Sequence, residues 1–221
     1  MKDKIYVHVA DDHKIVIDGI EAVLNTDEDI EVKGYSLTGK QVISWFDNPE
    51  NKADVLVLDI TMPIIDGIGV LQHFKDNKIN QKVVIVSSYD DIKIVQEMLN
   101  LGCNAYITKN NAGEFIIDAI KAVMRGEQFF TPKIQTELIK ALSGQKTEEG
   151  DLPDKYLIES LSDRELEVLR LITKQYNTPE IADLLNLGIS TIDSHRKKLL
   201  KKLKVKNSVG LAMYAVKNKI V

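Results

Sequence analysis

Five short apolar runs, each followed by a stretch with helical spacing, constrain this chain more than any other feature. "IYVHVA" (5–10), "IEVKGYS" (30–36), "DVLVLD" (54–59), "KVVIVSS" (82–88) and "AYIT" (105–108) read as strands. Helical periodicity fills the intervals around residues 14–25, 39–47, 67–77, 91–101 and 113–125. Strands with nearly continuous apolar residues are covered on both faces, and strand–helix alternation makes neighbouring strands parallel. Residues 1–126 are therefore expected to form an α/β, doubly wound, parallel five-stranded sheet.

In "VLVLDITMPIIDG" (55–67) the most apolar stretch of the chain runs straight into an acid, Asp59. Burying a lone carboxylate is costly, and ligands of such sheets bind beyond the carboxyl ends of the strands. Asp11 and Asp12 follow the first strand, so three carboxylates converge there. Crowded anions share a proton or bind a cation, and an all-oxygen set suits Mg²⁺. Ser87 ends the fourth strand and Lys109 follows the fifth, adding a hydroxyl and an ammonium. A carboxylate nucleophile, acids for a metal, a hydroxyl and a cation are the parts needed to capture a phosphoryl group. The plain alternative is a set of solvated loop acids. Asp66 reads as a helix cap, and Cys103 and Trp45 as packing residues. His8, His13 and His73 have no metal-ligand spacing among them.

"ADDH", "VLDITMPIIDG", "VIVSS" and "AYITK", in that order, resemble the receiver domain of two-component response regulators over roughly residues 4–126. The resemblance implies a flavodoxin-like receiver in which Asp59 accepts a phosphoryl group from a cognate histidine kinase. It further implies Mg²⁺ on Asp11, Asp12, Asp59 and the backbone carbonyl of Thr61. Lys109 would pair with the phosphoryl group, Ser87 would bond it, and Tyr106 would follow as an aromatic switch. Pro63 and Gly67 match the loop that carries the chain away from the site. Thr61 and Tyr89, beside the site, are placed to tune water access during autodephosphorylation.

After Arg125 the pattern changes. "TPKIQTELIKAL" (131–142) reads as one helix, "SGQKTEEGDLPDK" (143–155) as a polar linker, and residues 158–221 as a small all-α domain. Residues 127–157 thus form a linker containing one helix. Charge follows the same division: from Glu159 onward there are 12 Lys/Arg against 7 Asp/Glu, a balance of +5 within a chain of net charge −4. A basic module joined to an acidic one points to a polyanionic partner. "LSDRE" carries a capping box on Ser162 and Glu165. A short helix at "NTPEIADLLNL" turns at Gly188 into the basic helix "STIDSHRKKLLKKL", the pattern of a helix-turn-helix. Ile192, Leu199 and Leu203 would face the core. Asp193, Ser194, Lys197 and Lys201 would then form an outward stripe, or alternatively a solvated face.

"LSDRELEVL", "PEIADLL", "TIDSH" and "KKLKVKN" resemble the LuxR-type DNA-binding domain of the NarL/FixJ class. The resemblance implies double-stranded DNA as partner, base contacts from Asp193, Ser194 and Lys197, and a phosphate contact from Lys202. Gln175 stands where the family usually has Gly, and Gly188 where a Ser usually caps the recognition helix, so altered local geometry is expected. Val209, Met213 and Val216 on the final helix could pair with a second copy in a homodimer or pack within their own domain. The expectation is a phosphorylation-controlled transcription regulator rather than a substrate-turnover enzyme. No run is long and apolar enough to span a membrane, and one cysteine precludes an internal disulfide, which fits a cytoplasmic protein. A phosphatase of the haloacid dehalogenase type would want an acid at position 61, and a flavodoxin-like cofactor binder a Gly/Ser/Thr-rich first loop. A DNA-binding protein without phosphorylation is the remaining alternative.

Overall fold

The structure, a computed structural model, describes residues 4–142, 157–158 and 160–220. The polar stretch 143–155 expected as a linker lies outside the described residues. Two compact units are present, residues 1–152 and residues 153–221.

The first unit alternates β1 (Ile5–Ala10), α1 (Lys14–Leu24), β2 (Ile30–Ser36), α2 (Gly39–Phe46) and β3 (Val55–Leu58). It continues with α3 (Gly67–Asp76), β4 (Lys82–Ser87), α4 (Ile92–Asn100), β5 (Ala105–Thr108), a 3-10 turn (Lys109–Asn111) and α5 (Ala112–Met124). With a last strand β6 (Phe129–Phe130), the sheet order is β2-β1-β3-β4-β5-β6, every pairing parallel. This sixth strand extends the expected five-stranded sheet. Two residues are too few to show strand periodicity, which is why the sequence conceals it. The helix α6 (Pro132–Leu142) follows, with Pro132 in its first position, where the missing N–H costs nothing.

Alternation along the strands sends side chains to opposite faces. Val7, Val9, Val55, Val57, Val84, Val86, Ala105 and Ile107 form one face and pack under α1 and α5. Their neighbours Leu56, Leu58, Val83, Ile85 and Tyr106 are equally buried and point the other way. Both faces being covered accounts for the unbroken apolar runs. The order reverses between β1 and β3, whose ends are tied by the Asp59 N–H donating to the Ala10 carbonyl at 2.8 Å. That crevice is where such sheets bind ligands. Asp66 caps α3, accepting from the Gly69 N–H at 2.8 Å.

The second unit is helical and includes α7 (Asp163–Thr173), α8 (Thr178–Leu185), α9 (Ile189–Lys202) and α10 (Ser208–Lys217). Ser162 and Glu165 form the anticipated capping box, and Asn177 with Glu180 forms a second one. Asn186, in the left-handed region at φ 50°, ends α8 and starts the turn into α9. No helix of the described residues is long and apolar enough to cross a membrane.

Candidate functional site

The pocket at the β1–β3 edge is built from strand ends. Asp11 and Asp59 are 1% and 3% exposed, so both carboxylates are withdrawn from water. The Lys109 ammonium bridges them, 2.6 Å from Asp11 Oδ2 and 2.9 Å from Asp59 Oδ2. The other oxygen of Asp59 accepts the Ile60 N–H at 2.8 Å, and Asp11 Oδ1 accepts that of His13 at 2.9 Å. Burial, with the Asp11 charge, pushes the Asp59 carboxyl up to about 7, against the opposing pull of Lys109. Burial also works against the Lys109 charge, but the two carboxylates outweigh it and hold the ammonium above its ordinary value.

Asp12 is at the rim, its carboxylate 2.7 Å from His13 Nδ1. Asp11, Asp12 and His13 bring three ligand atoms within 4.8 Å of one another. His13, passed over in the sequence for lack of spacing to other histidines, thus stands with the acids. Asp11 Oδ2 is buried and has no hydrogen-bond partner in the structure, its ion pair with Lys109 lacking hydrogen-bond geometry. The carboxylates of Asp11 and Asp12 in that set suit a hard, oxygen-preferring cation. Thr61, half-buried, begins the loop after Asp59.

Ser87 and Tyr106 are fully buried beside this pocket. Ser87 Oγ accepts the Tyr89 N–H at 3.1 Å, and the Tyr106 hydroxyl donates to the Tyr89 carbonyl at 2.9 Å. Tyr106, on β5, is thus a strand aromatic buried over its whole length. His8 is instead a core residue: it stacks on Trp45 with ring centroids 4.2 Å apart, meets Ser36 Oγ at 2.8 Å, and is lowered by burial to about 4, so it stays neutral. Cys103 is buried and pushed up to about 12, an inert thiol.

In the second unit Ile192, Leu199 and Leu203 are buried as their spacing implies. Asp193, Ser194, Lys197 and Lys201 are exposed along α9. Lys202 differs: its ammonium donates to the Ser160 carbonyl at 2.7 Å and to Glu165 Oε2 at 3.0 Å. Glu165, only 3% exposed, is a buried carboxylate that needs that cation. Val209, Met213 and Val216 are exposed on α10, so they do not serve the unit's own core.

The family model for the response regulator receiver domain matches residues 7–121, and that for bacterial regulatory proteins of the luxR family matches residues 159–215. The oxygen regulatory protein NreC of Staphylococcus carnosus is 33% identical, covering 96% of this chain and 97% of its own. The response regulator protein VraR of Staphylococcus aureus is 32% identical over 98% of this chain and 99% of its own. The chain belongs to the NarL/FixJ class of response regulators. Among solved structures, RcsB of Salmonella typhimurium superimposes with a TM-score of 0.58 at 29% identity, covering 98% and 99% of the two chains. A structure of an RcsB–DNA complex gives 0.57 at 28%, covering 97% and 98%.

The structure shows the local geometry at the two positions, Gln175 and Gly188, where altered geometry was expected. Gln175 adopts φ 67°, the left-handed conformation for which Gly is suited, at a cost of roughly 1 kcal/mol. Gly188 starts α9 without any side-chain cap. Gly67, by contrast, is sterically required. A Cβ there would stand 2.6 Å from the Asp59 carbonyl oxygen and 2.8 Å from the Ile60 Cα, both backbone atoms that cannot swing aside. Gly67→Ala is expected to cost about 1–2 kcal/mol and to displace Asp59 from Lys109. Denaturant unfolding followed on Trp45 checks the first effect, and phosphoryl uptake the second.

Proposed function

We propose that this response regulator accepts a phosphoryl group on Asp59 from the phosphohistidine of a cognate histidine kinase, in a Mg²⁺-dependent reaction, and thereby controls transcription through its helix-turn-helix. The observation that carries this is the Lys109 ammonium bridging two buried carboxylates at the sheet's ligand-binding edge. An Asp59 oxygen attacks phosphorus in line while the P–N bond to the kinase histidine breaks, leaving an acyl phosphate and an imidazole that takes up a proton. Asp11, Asp12, Asp59 and the Thr61 carbonyl would hold Mg²⁺, which neutralises the phosphoryl oxygens when bound. Lys109 follows the incoming oxygens, and the buried pocket strengthens that attraction by excluding water. Ser87 turns its hydroxyl to the new phosphoryl group, releasing the Tyr89 N–H it now accepts, and Tyr106 follows with its hold on the Tyr89 carbonyl.

No acid stands at position 61 to protonate a leaving group, which favours storage of the phosphoryl group over phosphatase turnover. Loss would then occur by autodephosphorylation. On DNA, Asp193 and Ser194 lie in the N-terminal half of the recognition helix, where side chains reach base edges, Lys197 follows one turn on along the same exposed stripe, and Lys201 is placed for phosphate. The exposed Val209, Met213 and Val216 fit a homodimer on two half-sites.

The test uses a small acyl-phosphate donor with and without Mg²⁺. The parent chain is expected to take up one phosphoryl group only with the metal, and Asp59→Asn none. Equal labelling of the asparagine variant would overturn the assignment. A shift assay on DNA selected from a random duplex pool, with and without donor, then reads the coupling to DNA.

A further inference from the structure

The helix α6 joins the receiver sheet to the residues that lead towards the second unit, and it is attached in a way the phosphoacceptor chemistry does not explain. Eleven residues make a marginal helix in isolation, so docking holds it. Only its first turn is well seated. Thr131 and Ile134 are buried at 4% and 2% exposure, whereas Ile139 is 66% exposed. The helix packs on α4. Beside the seated turn, the Lys133 ammonium bonds to Asp90 Oδ2.

Asp90 is the residue after Tyr89. Both backbone groups of Tyr89 are held by the pair expected to move on phosphorylation, its N–H by Ser87 Oγ and its carbonyl by the Tyr106 hydroxyl. A rearrangement of Ser87 or Tyr106 therefore pulls on the peptide that carries the α6 anchor. We propose that Lys133 and Asp90 form a latch that fastens α6 to the β4–α4 loop and opens when Ser87 and Tyr106 rearrange, so that α6 registers the phosphoryl group. The opening half of this inference rests on the proposed phosphorylation of Asp59; the closed latch does not.

Both partners are more than half exposed, the lysine at 72% and the aspartate at 53%, so the pair contributes a factor of a few rather than orders of magnitude. Such a latch suits a reversible signal. It is also screened by salt.

Hydrogen exchange of the full chain tests it, read on the α6 amides. Lys133→Gln and Asp90→Asn are each expected to raise α6 exchange about two- to fivefold, and the charge swap Asp90→Lys with Lys133→Asp to return it towards the parent. Tyr106→Phe, which removes the hydroxyl that bonds the Tyr89 carbonyl and neighbours Ser87, is expected to raise it as well. Parent-like α6 exchange in both single latch variants would overturn the latch. Parent-like exchange in Tyr106→Phe would overturn its link to the switch. Beryllofluoride with Mg²⁺, a phosphoryl mimic, supplies the last arm. Protection at Ile60 together with loosened α6 supports the proposal, and protection at Ile60 with α6 unchanged overturns it. Absence of protection at Ile60 counts against the proposed function of Asp59 alone, and the substitutions still decide the latch.

Discussion

In chelator-containing buffer at pH 8, Asp59→Asn is expected to unfold at a higher denaturant concentration than the parent regulator. The reason is the buried carboxylate, whose pKa rises from 3.8 to about 7 in the folded chain. Below pH 4 the folded and unfolded states both hold the proton, and Asp59 contributes no difference. Between about 4 and 7 the folded state keeps a proton that the unfolded state has lost, so stability falls as pH rises through that window. Above 7 the whole penalty applies. A gap of about three pH units at 1.36 kcal/mol each sets a ceiling of about 4 kcal/mol. Asparagine forfeits the ion pair with Lys109 but leaves that lysine bridged to Asp11, so a gain of roughly 1–3 kcal/mol remains. Trp45, the chain's only tryptophan, lies in the receiver unit and reports its unfolding. Parent and variant should converge towards pH 4, and Mg²⁺ should stabilise the parent more than the variant. Equal midpoints at pH 8 would show that Asp59 carries no stored penalty. The residue proposed to accept the phosphoryl group is thus expected to make the resting chain less stable.

The parts of the fold legible in the sequence were those with strong period. Each receiver helix begins and ends within one residue or so of its apolar spacing, because both sheet faces are covered and every helix must bury a stripe. Asp59, Asp11, Ser87 and Lys109 could be brought together from sequence because parallel strands converge at one edge. Less visible were features made by pairing at a distance. The strand β6 has only Phe129 and Phe130 to announce it, and it exists because β5 offers an open edge beside it. His13 joined the acids only once the backbone after β1 turned. Lys202 sits in a basic run that looks uniform in sequence, yet a buried glutamate 37 residues earlier claims it. Tyr106 could be placed on a strand from sequence, but its full burial goes with a hydroxyl bonded to the Tyr89 carbonyl in the β4–α4 loop, which the strand pattern does not announce.

Lys202→Met is expected to weaken DNA binding by loosening the second unit rather than by removing a phosphate contact. It leaves the Glu165 carboxylate, 4% exposed at its side chain, with its Ser162 backbone bond but no cation. Breaking a buried pair from one side costs about 3–5 kcal/mol. Lys202 keeps 30% of its side-chain surface in water, so about 2–3 kcal/mol is the expected loss. Far-UV circular dichroism resolves it as an earlier helical transition that Trp45 fluorescence does not share. The pH dependence gives an independent sign. Burial opposes ionisation of Glu165, but the Ser162 N–H and Lys202 outweigh it and hold the carboxyl below its ordinary value. Its contribution is thus present above the unfolded value of 4.5 and is lost as pH falls through the lower folded value. Lys202→Met should flatten that acid-side loss. Adding Glu165→Gln removes the orphaned charge and is expected to recover most of the stability. The doubly substituted regulator should then bind DNA with the parent's dependence on salt, whereas Lys201→Ala should reduce the slope of log affinity against log salt by about 0.9. A double variant as stable as the parent but with that same reduced slope would return Lys202 to the phosphate backbone.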